Sequence, residues 1–379
     1  MNVLRKGGDT VYVVTLELIK KCNLDCSYCY LGEKEDYKMD FSTAKKAIDL
    51  AVHEASKQYD KTLHLYFIGG EPLMAFQMIK KSVAYAEQMC RKAGLVSVYS
   101  TTINGTLLNE EIIDFFIEKD FNFKLSLDGF EEVHDRNRQY IKGVGSYQTI
   151  YKNLQHIWRF QQETGKIVRA AQVISKNTCN DLTKSLKHLY RLGFQIVESS
   201  INTYEEWTDQ ELEVLFQEVK MAFLYYKKLK QSGDKFYWKF IESRLELFSI
   251  AATCFYHCKA GLSSVFVTVN GKLYPCTEVD ETVCIGSVHT GLDVKKIREF
   301  ASIMDSKNEA CLSCEEYRYC PATKCIMINY DLYRDFYKPP KAECELTKFL
   351  YRLFRAELTS QQKKSLQHFF ERSRACQNV

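Results

Sequence analysis

Three cysteines, Cys22, Cys26 and Cys29, crowd into eight positions of the stretch KKCNLDCSYCYLG. Thiolates are ligands for soft metals. A structural zinc site needs four ligands, usually from Cys-x2-Cys pairs, and this motif is Cys-x3-Cys-x2-Cys with no fourth ligand nearby. Three close thiolates suit an iron–sulfur cubane with one iron left open, able to bind a substrate or cofactor directly. Part of a zinc site is the plainer alternative. Disulfides are not expected. The first twenty residues hold no long apolar stretch before a small-residue cleavage site, and no apolar run approaches the eighteen or so residues of a spanning helix. The chain is therefore expected to be cytoplasmic, where its fifteen cysteines stay reduced. A net charge of +4 is too small to argue for nucleic acid or an anionic membrane. Cys90 and Cys179 stand alone and read as small buried apolar residues.

The elements that must position the motif alternate regularly. Strand-like runs at Val11–Leu18, Leu63–Ile68, Val96–Thr102, Phe123–Leu127, Val168–Ile174 and Gln195–Ile201 are separated by helical stretches near 42–57, 75–93, 109–119, 146–162 and 180–192. That rhythm predicts an α/β fold of βα units with a parallel sheet, either open and doubly wound or a partial barrel. The cysteine motif follows the first strand, at the end where βα folds place their sites. Residues 209–250 read as a helical connection. From Cys254 to Cys344 the chain carries nine of its fifteen cysteines, so 251–345 reads as a second, metal-rich domain after a core of 1–208. The tail, 346–379, reads as amphipathic helix. Ser146 is placed to cap the helix that follows it.

CNLDCSYC, with aromatic Tyr28 before the third cysteine, resembles the signature of the radical S-adenosylmethionine (SAM) enzymes. So do Gly69-Gly70-Glu71-Pro72 after strand two, Asn104 in TINGT after strand three, and Ser126 in SLDG after strand four. The resemblance implies a partial (βα)6 TIM-like barrel. It implies that Cys22, Cys26 and Cys29 ligate a four-iron, four-sulfur (4Fe-4S) cluster whose open iron chelates SAM. Reductive cleavage then yields a 5′-deoxyadenosyl radical that abstracts hydrogen from the substrate. SAM contacts are implied for Tyr28, Gly69, Gly70, Glu71, Asn104 and Ser126, and for an arginine at Arg136 or Arg138 meeting the SAM carboxylate.

The later cysteines number eight without Cys284, enough for two sites of four, and by donor chemistry alone two zinc sites fit as well. Their order resembles the SPASM domain of radical SAM peptide-modifying enzymes, which holds two auxiliary 4Fe-4S clusters. The resemblance assigns Cys254, Cys258, Cys276 and Cys325 to one cluster, and Cys311, Cys314, Cys320 and Cys344 to the other, three clusters in all. Four residues rather than the usual three separate Cys320 from Cys325. Cys284 lies outside the pattern and reads as structural.

Enzymes of this architecture modify peptides or proteins. One group matures ribosomally made peptides through thioether or carbon–carbon cross-links; another oxidises a sulfatase Cys or Ser to formylglycine. The sulfatase group usually has Asp directly after the cysteine matching Cys276, and here Thr277 and Glu278 follow it. The expectation is a maturase of a cysteine-containing ribosomal peptide, with a sulfatase-maturating enzyme as runner-up and a non-catalytic zinc adaptor as a distant third. About ten residues precede the first strand, so a leader would be bound by a separate protein or by the barrel. The chemistry also implies an electron donor such as flavodoxin or ferredoxin.

Overall fold

A computed structural model describes residues 11–31, 34–250, 260–277, 280–305, 309–317, 320 and 325–359. The elements in chain order are β1 (Tyr12–Ile19), β2 (Leu24–Cys26), α1 (Phe41–Ser56), β3 (Thr62–Gly69), α2 (Phe76–Ala93), β4 (Val96–Ile103), α3 (Glu110–Glu118) and β5 (Asn122–Ser126). Then come α4 (Glu131–Asp135), β6 (Arg138–Tyr140), α5 (Tyr147–Thr164), β7 (Arg169–Ile174), α6 (Leu182–Arg191), β8 (Ile196–Ile201), α7 (Asp209–Gln231), β9 (Tyr237–Trp238) and α8 (Lys239–Ile250). The last are β10 (Ser264–Val267), β11 (Lys272–Tyr274), β12 (Gly286–Ser287), β13 (Gly291–Leu292), α9 (Val294–Asp305), α10 (Ile326–Tyr333) and α11 (Lys341–Glu357). This is the α/β class that the alternating pattern predicts. None of the described helices is long and apolar enough to cross a membrane.

The chain divides into two compact units. The first holds Met1–Ser126, Asn137–Val168 and Cys258–Ala301; the second holds Leu127–Arg136, Arg169–His257 and Ser302–Val379. In the first unit β10, β1, β3, β4 and β5 run parallel in that order, and β11, β12 and β13 extend the β10 edge antiparallel. β2 and β6 form a separate antiparallel pair. The sequence places the Ser264 run with the cysteine-rich region; its partner is β1, with Val13 opposite Ser264.

Side-chain alternation gives this sheet two different faces. Leu63, Leu65, Phe67, Tyr99, Phe123 and Leu125 are all buried and point one way. Phe121 stacks on Phe116 at 4.6 Å and Tyr99 at 5.4 Å, and Phe123 meets Phe160 of α5 edge-on at 4.9 Å. The other face carries half-exposed Thr15, His64, Tyr66, Thr102 and Lys124. There His64 Nε2 meets Ser100 Oγ at 2.7 Å and Tyr66 OH meets Thr102 Oγ1 at 2.5 Å. Burial holds the His64 imidazole down near 4. Parallel sheets normally bury both faces with apolar side chains, so this polar, part-open face sets the sheet apart.

The second unit pairs β7, β8 and β9 in parallel. A buried polar row crosses them: Trp238 Nε1 donates to Ser199 Oγ (2.8 Å), Ser199 Oγ to Gln172 Oε1 (2.6 Å), and Gln172 Nε2 to the Asp128 carbonyl (2.7 Å). Asp128 Oδ1 also accepts from Val173 N at 3.0 Å. Each buried polar group in the row thus has a partner. Thr208 and Glu211 start α7 with a reciprocal capping box.

Phe121 is fully buried among the stacked rings. Phe121→Ala is therefore expected to cost about 3–5 kcal/mol of stability, measured as a fall in the denaturation midpoint with unchanged slope.

Candidate metal and cofactor site

Parallel register brings one end of four strands level. Ile19 lies opposite Gly69, Phe67 opposite Thr101, and Ile103 opposite Leu125. The loops leaving β1, β3, β4 and β5 therefore share one rim, and the predicted residues from Cys22 to Ser126 sit on it. Binding sites form at this end of parallel strands.

Backbone hydrogen bonds join the first two loops: Gly70 N donates to Ile19 O (2.8 Å) and Glu71 N to Lys21 O (3.1 Å). A Cβ on Gly69 would overlap Ile19 O, and one on Gly70 would overlap Lys21 O; Gly69 also has φ 151°. Only glycine permits this approach. Glu71 is 1% exposed. Its carboxylate accepts from Leu73 N at 3.0 Å and from Asn104 N at 2.7 Å, so it ties the second loop to the third. Burial holds the Glu71 carboxyl up to about 7, against those two hydrogen bonds.

Asn104 extends the tie back to the cysteines. Its Nδ2 donates to Asn23 Oδ1 (2.8 Å) and lies 3.9 Å from Cys22 Sγ; its Oδ1 accepts from Thr106 N and Oγ1. Asn23 Nδ2 completes the ring to Thr106 Oγ1 at 2.8 Å. Asn23 is a site residue that the sequence reading missed; its place beside Cys22 was the only signal in the sequence.

A hairpin clasps the other side of the cysteine loop. Cys26 pairs with Arg138 in the β2–β6 ladder. Ser27 N and Oγ donate to Asn137 O and Oδ1 at 3.0 and 2.7 Å. The Arg138 guanidinium lies over the Tyr28 ring, 5.2 Å from its centre. Ser146 does not cap α5; its Oγ donates to Arg138 O at 2.7 Å, which closes the hairpin instead. Arg136 belongs to the second unit, where its guanidinium donates to Asp181 Oδ2 (2.9 Å) and Asn177 O (3.0 Å). Ser126 ends β5, half-buried.

The donor set at Cys22, Cys26 and Cys29 suits an iron–sulfur cluster. None of the three is joined in a disulfide. Leu24 N donates to Cys22 Sγ at 3.4 Å, the kind of hydrogen bond that stabilises a cluster thiolate. Burial pushes the Cys22 thiol up to about 11, so ligation must displace its proton. Among the described residues, no three His, Cys, Asp or Glu side chains form a group tight enough for a single metal ion.

Of the later cysteines, Cys254 and Cys258 lie outside the described residues. Cys276 belongs to the first unit and Cys325 to the second. Cys311, Cys314, Cys320 and Cys344 all fall in the second unit. Cys314 N donates to Cys311 O at 3.0 Å, a tight turn between two thiols. Cys344, Lys348, Tyr351 and Arg355 follow helical spacing along one stripe of α11. Burial raises the Cys344 thiol, with Lys348 opposing the rise and Glu345, Cys311 and Cys314 adding to it. Arg355 grips buried Glu316 with both nitrogens, at 2.5 and 2.8 Å. That pins the segment 309–317, which carries Cys311 and Cys314, to the helix.

Gly70→Ala is expected to cost about 1–3 kcal/mol through overpacking and to halve iron bound per chain or worse, read by iron analysis after anaerobic reconstitution. Wild-type iron content in Gly70→Ala would show that the two loops need not touch.

The profile of the Radical SAM superfamily matches residues 16–219. A cysteine-type anaerobic sulfatase-maturating enzyme of Clostridium perfringens is 21% identical over 316 residues, 79% of this chain and 84% of that one. Among solved structures, native anSMEcpe with bound AdoMet and Cp18Cys peptide superposes with a TM-score of 0.75 at 18% identity, over 95% of this chain and 99% of the other. Streptococcus suis SuiB bound to its precursor peptide SuiA gives a TM-score of 0.61 at 15% identity, over 89% of this chain and 76% of the other. The profile spans more than half of the chain, and the rim described above lies within the matched residues. The chain therefore belongs to the Radical SAM superfamily, whose members pair a 4Fe-4S cluster with S-adenosylmethionine.

Proposed function

We propose that this enzyme matures a ribosomally made, cysteine-containing peptide in the cytoplasm, forming a thioether or another cross-link. The cluster and SAM, when bound, supply the radical that removes a substrate hydrogen. The chain's own residues hold and orient them. Cys22, Cys26 and Cys29 ligate the cluster. Gly69, Gly70 and Glu71 shape the subsite for the SAM amino group, with Asn104, Ser126 and Tyr28 around it. The Asp181 pairing of Arg136 supports giving the SAM carboxylate to Arg138, which already lies against Tyr28. Two auxiliary clusters, on the two sets of four later cysteines, complete the reading. The stripe on α11 and the Cys311–Cys314 turn support the second of them. A flavodoxin- or ferredoxin-type donor and a separate leader-binding protein are the implied partners.

The observation that carries the choice of substrate is Thr277, which stands after Cys276 where the sulfatase group usually has Asp. A hydroxyl cannot serve as a carboxylate base near neutral pH. The runner-up, formylglycine formation, draws support from the Clostridium perfringens relative and from the length of its alignment.

The test is the intact mass of a peptide co-expressed with this chain under low oxygen. Loss of two hydrogens per cross-link, absent with Cys29→Ala, is the expected outcome. Replacement of a cysteine sulfur by oxygen together with loss of two hydrogens, the change from thiol to formylglycine aldehyde, seen only with a sulfatase-derived peptide, would overturn the maturase reading in favour of the runner-up.

A further inference from the structure

Lys34 belongs to none of the motifs read above, yet it is bound into the cysteine loop. Its Nζ donates to Leu24 O at 2.6 Å and to Asp25 Oδ1 at 2.9 Å, between Cys22 and Cys26. Only 12% of its side chain is exposed, while its partner Asp25 is 69% exposed. Burying an ammonium is costly unless charge nearby repays it. A single solvated carboxylate is weak repayment. Burial works to lower the Lys34 pKa, but the Asp25 hydrogen bond and the thiols of Cys29 and Cys22 hold it above the usual lysine value. The ammonium is thus fixed by two hydrogen bonds to the segment between Cys22 and Cys26.

We propose that Lys34 is a positioning and charge-compensating residue for the cluster site, holding the loop between Cys22 and Cys26 while its fixed positive charge favours the cluster's reduced form. The inference rests on Cys22, Cys26 and Cys29 being the cluster ligands. No bond is made or broken by Lys34; it acts through space. Three thiolates and an iron–sulfur core carry net negative charge, and one more electron adds to it. A nearby cation stabilises that electron, and net charge is among the factors that set such potentials. Asp25 works against it by partly cancelling the ammonium. The two residues form a pair whose removal has opposite signs.

The experiment is a redox titration of the purified, anaerobically reconstituted full chain, following the electron paramagnetic resonance signal that responds to added SAM. In Lys34→Met, which keeps the stem and removes the charge, the reduced-to-oxidised ratio at a fixed potential is expected to fall about tenfold, a shift of about 59 mV for one electron. Lys34→Arg is expected to stay near wild type. Asp25→Asn leaves the ammonium uncancelled and is expected to move the ratio the other way. If Lys34→Met cannot hold iron, the sign of the Asp25→Asn shift decides the question. A Lys34→Met cluster with wild-type potential, or an Asp25→Asn shift of zero or the same sign, would overturn the charge role and leave only a structural strap. A wild-type chain with no SAM-responsive signal would instead overturn the cluster assignment itself, which separates the two failures.

Discussion

Two backbone hydrogen bonds, Gly70 N to Ile19 O and Glu71 N to Lys21 O, hold the cysteine loop against the loop of the next strand. Everything else at the rim depends on that approach. It demands glycine at both 69 and 70, because any side chain would strike the carbonyls of Ile19 and Lys21. It places Glu71 where its buried carboxylate can take Asn104 N, and Asn104 where its amide can reach Asn23 and Cys22. A chain of polar contacts thus runs from the second strand end to the third and back to Cys22. Every member is buried or half-buried, so losing one strands its partner at a cost of about 1–3 kcal/mol.

The opposite side of the loop is fixed by different means. The β2–β6 pair sets Cys26 against Arg138, and Ser27 and Tyr28 each find a partner on the same hairpin. A three-residue strand has little stability alone. Here it is held between a rigid sheet end and a hairpin that Ser146 closes from behind. The cysteines thereby sit on a loop with fixed walls, as a cluster with one open iron requires. The polar face carrying His64, Tyr66 and Thr102 lies on the same sheet. In the second unit, α11 plays the corresponding part: one stripe bears Cys344, the charge of Lys348 and the Arg355 clamp on Glu316.

Much of this was legible in the sequence where the signal is local. β-branched runs and helical periods located the strands and helices to within a residue or two; Val11–Leu18 became Tyr12–Ile19, and 75–93 became Phe76–Ala93. Cysteine spacing and the double glycine marked the rim because those residue types have few other reasons to occur together. What stayed hidden is non-local. Nothing at Ser264 announces that it will lie beside Val13, 251 positions earlier. Ser146 reads as a cap because caps are local; it was taken by the Arg138 carbonyl instead, a partner that only the hairpin supplies. Arg136 and Arg138 look equivalent in sequence, and the backbone sends one to Asp181 and the other to Tyr28. Lys34 and Asn23 carry no motif, and only the folded loop shows what they touch.

The most direct measurement of the central claim is 5′-deoxyadenosine released from SAM by the reduced, iron-loaded chain, compared with Cys22→Ala, Cys26→Ala and Cys29→Ala. The account predicts release by the wild-type chain and none by any of the three variants, each of which would lack one ligand of the site. Normal release from any one of them would contradict it.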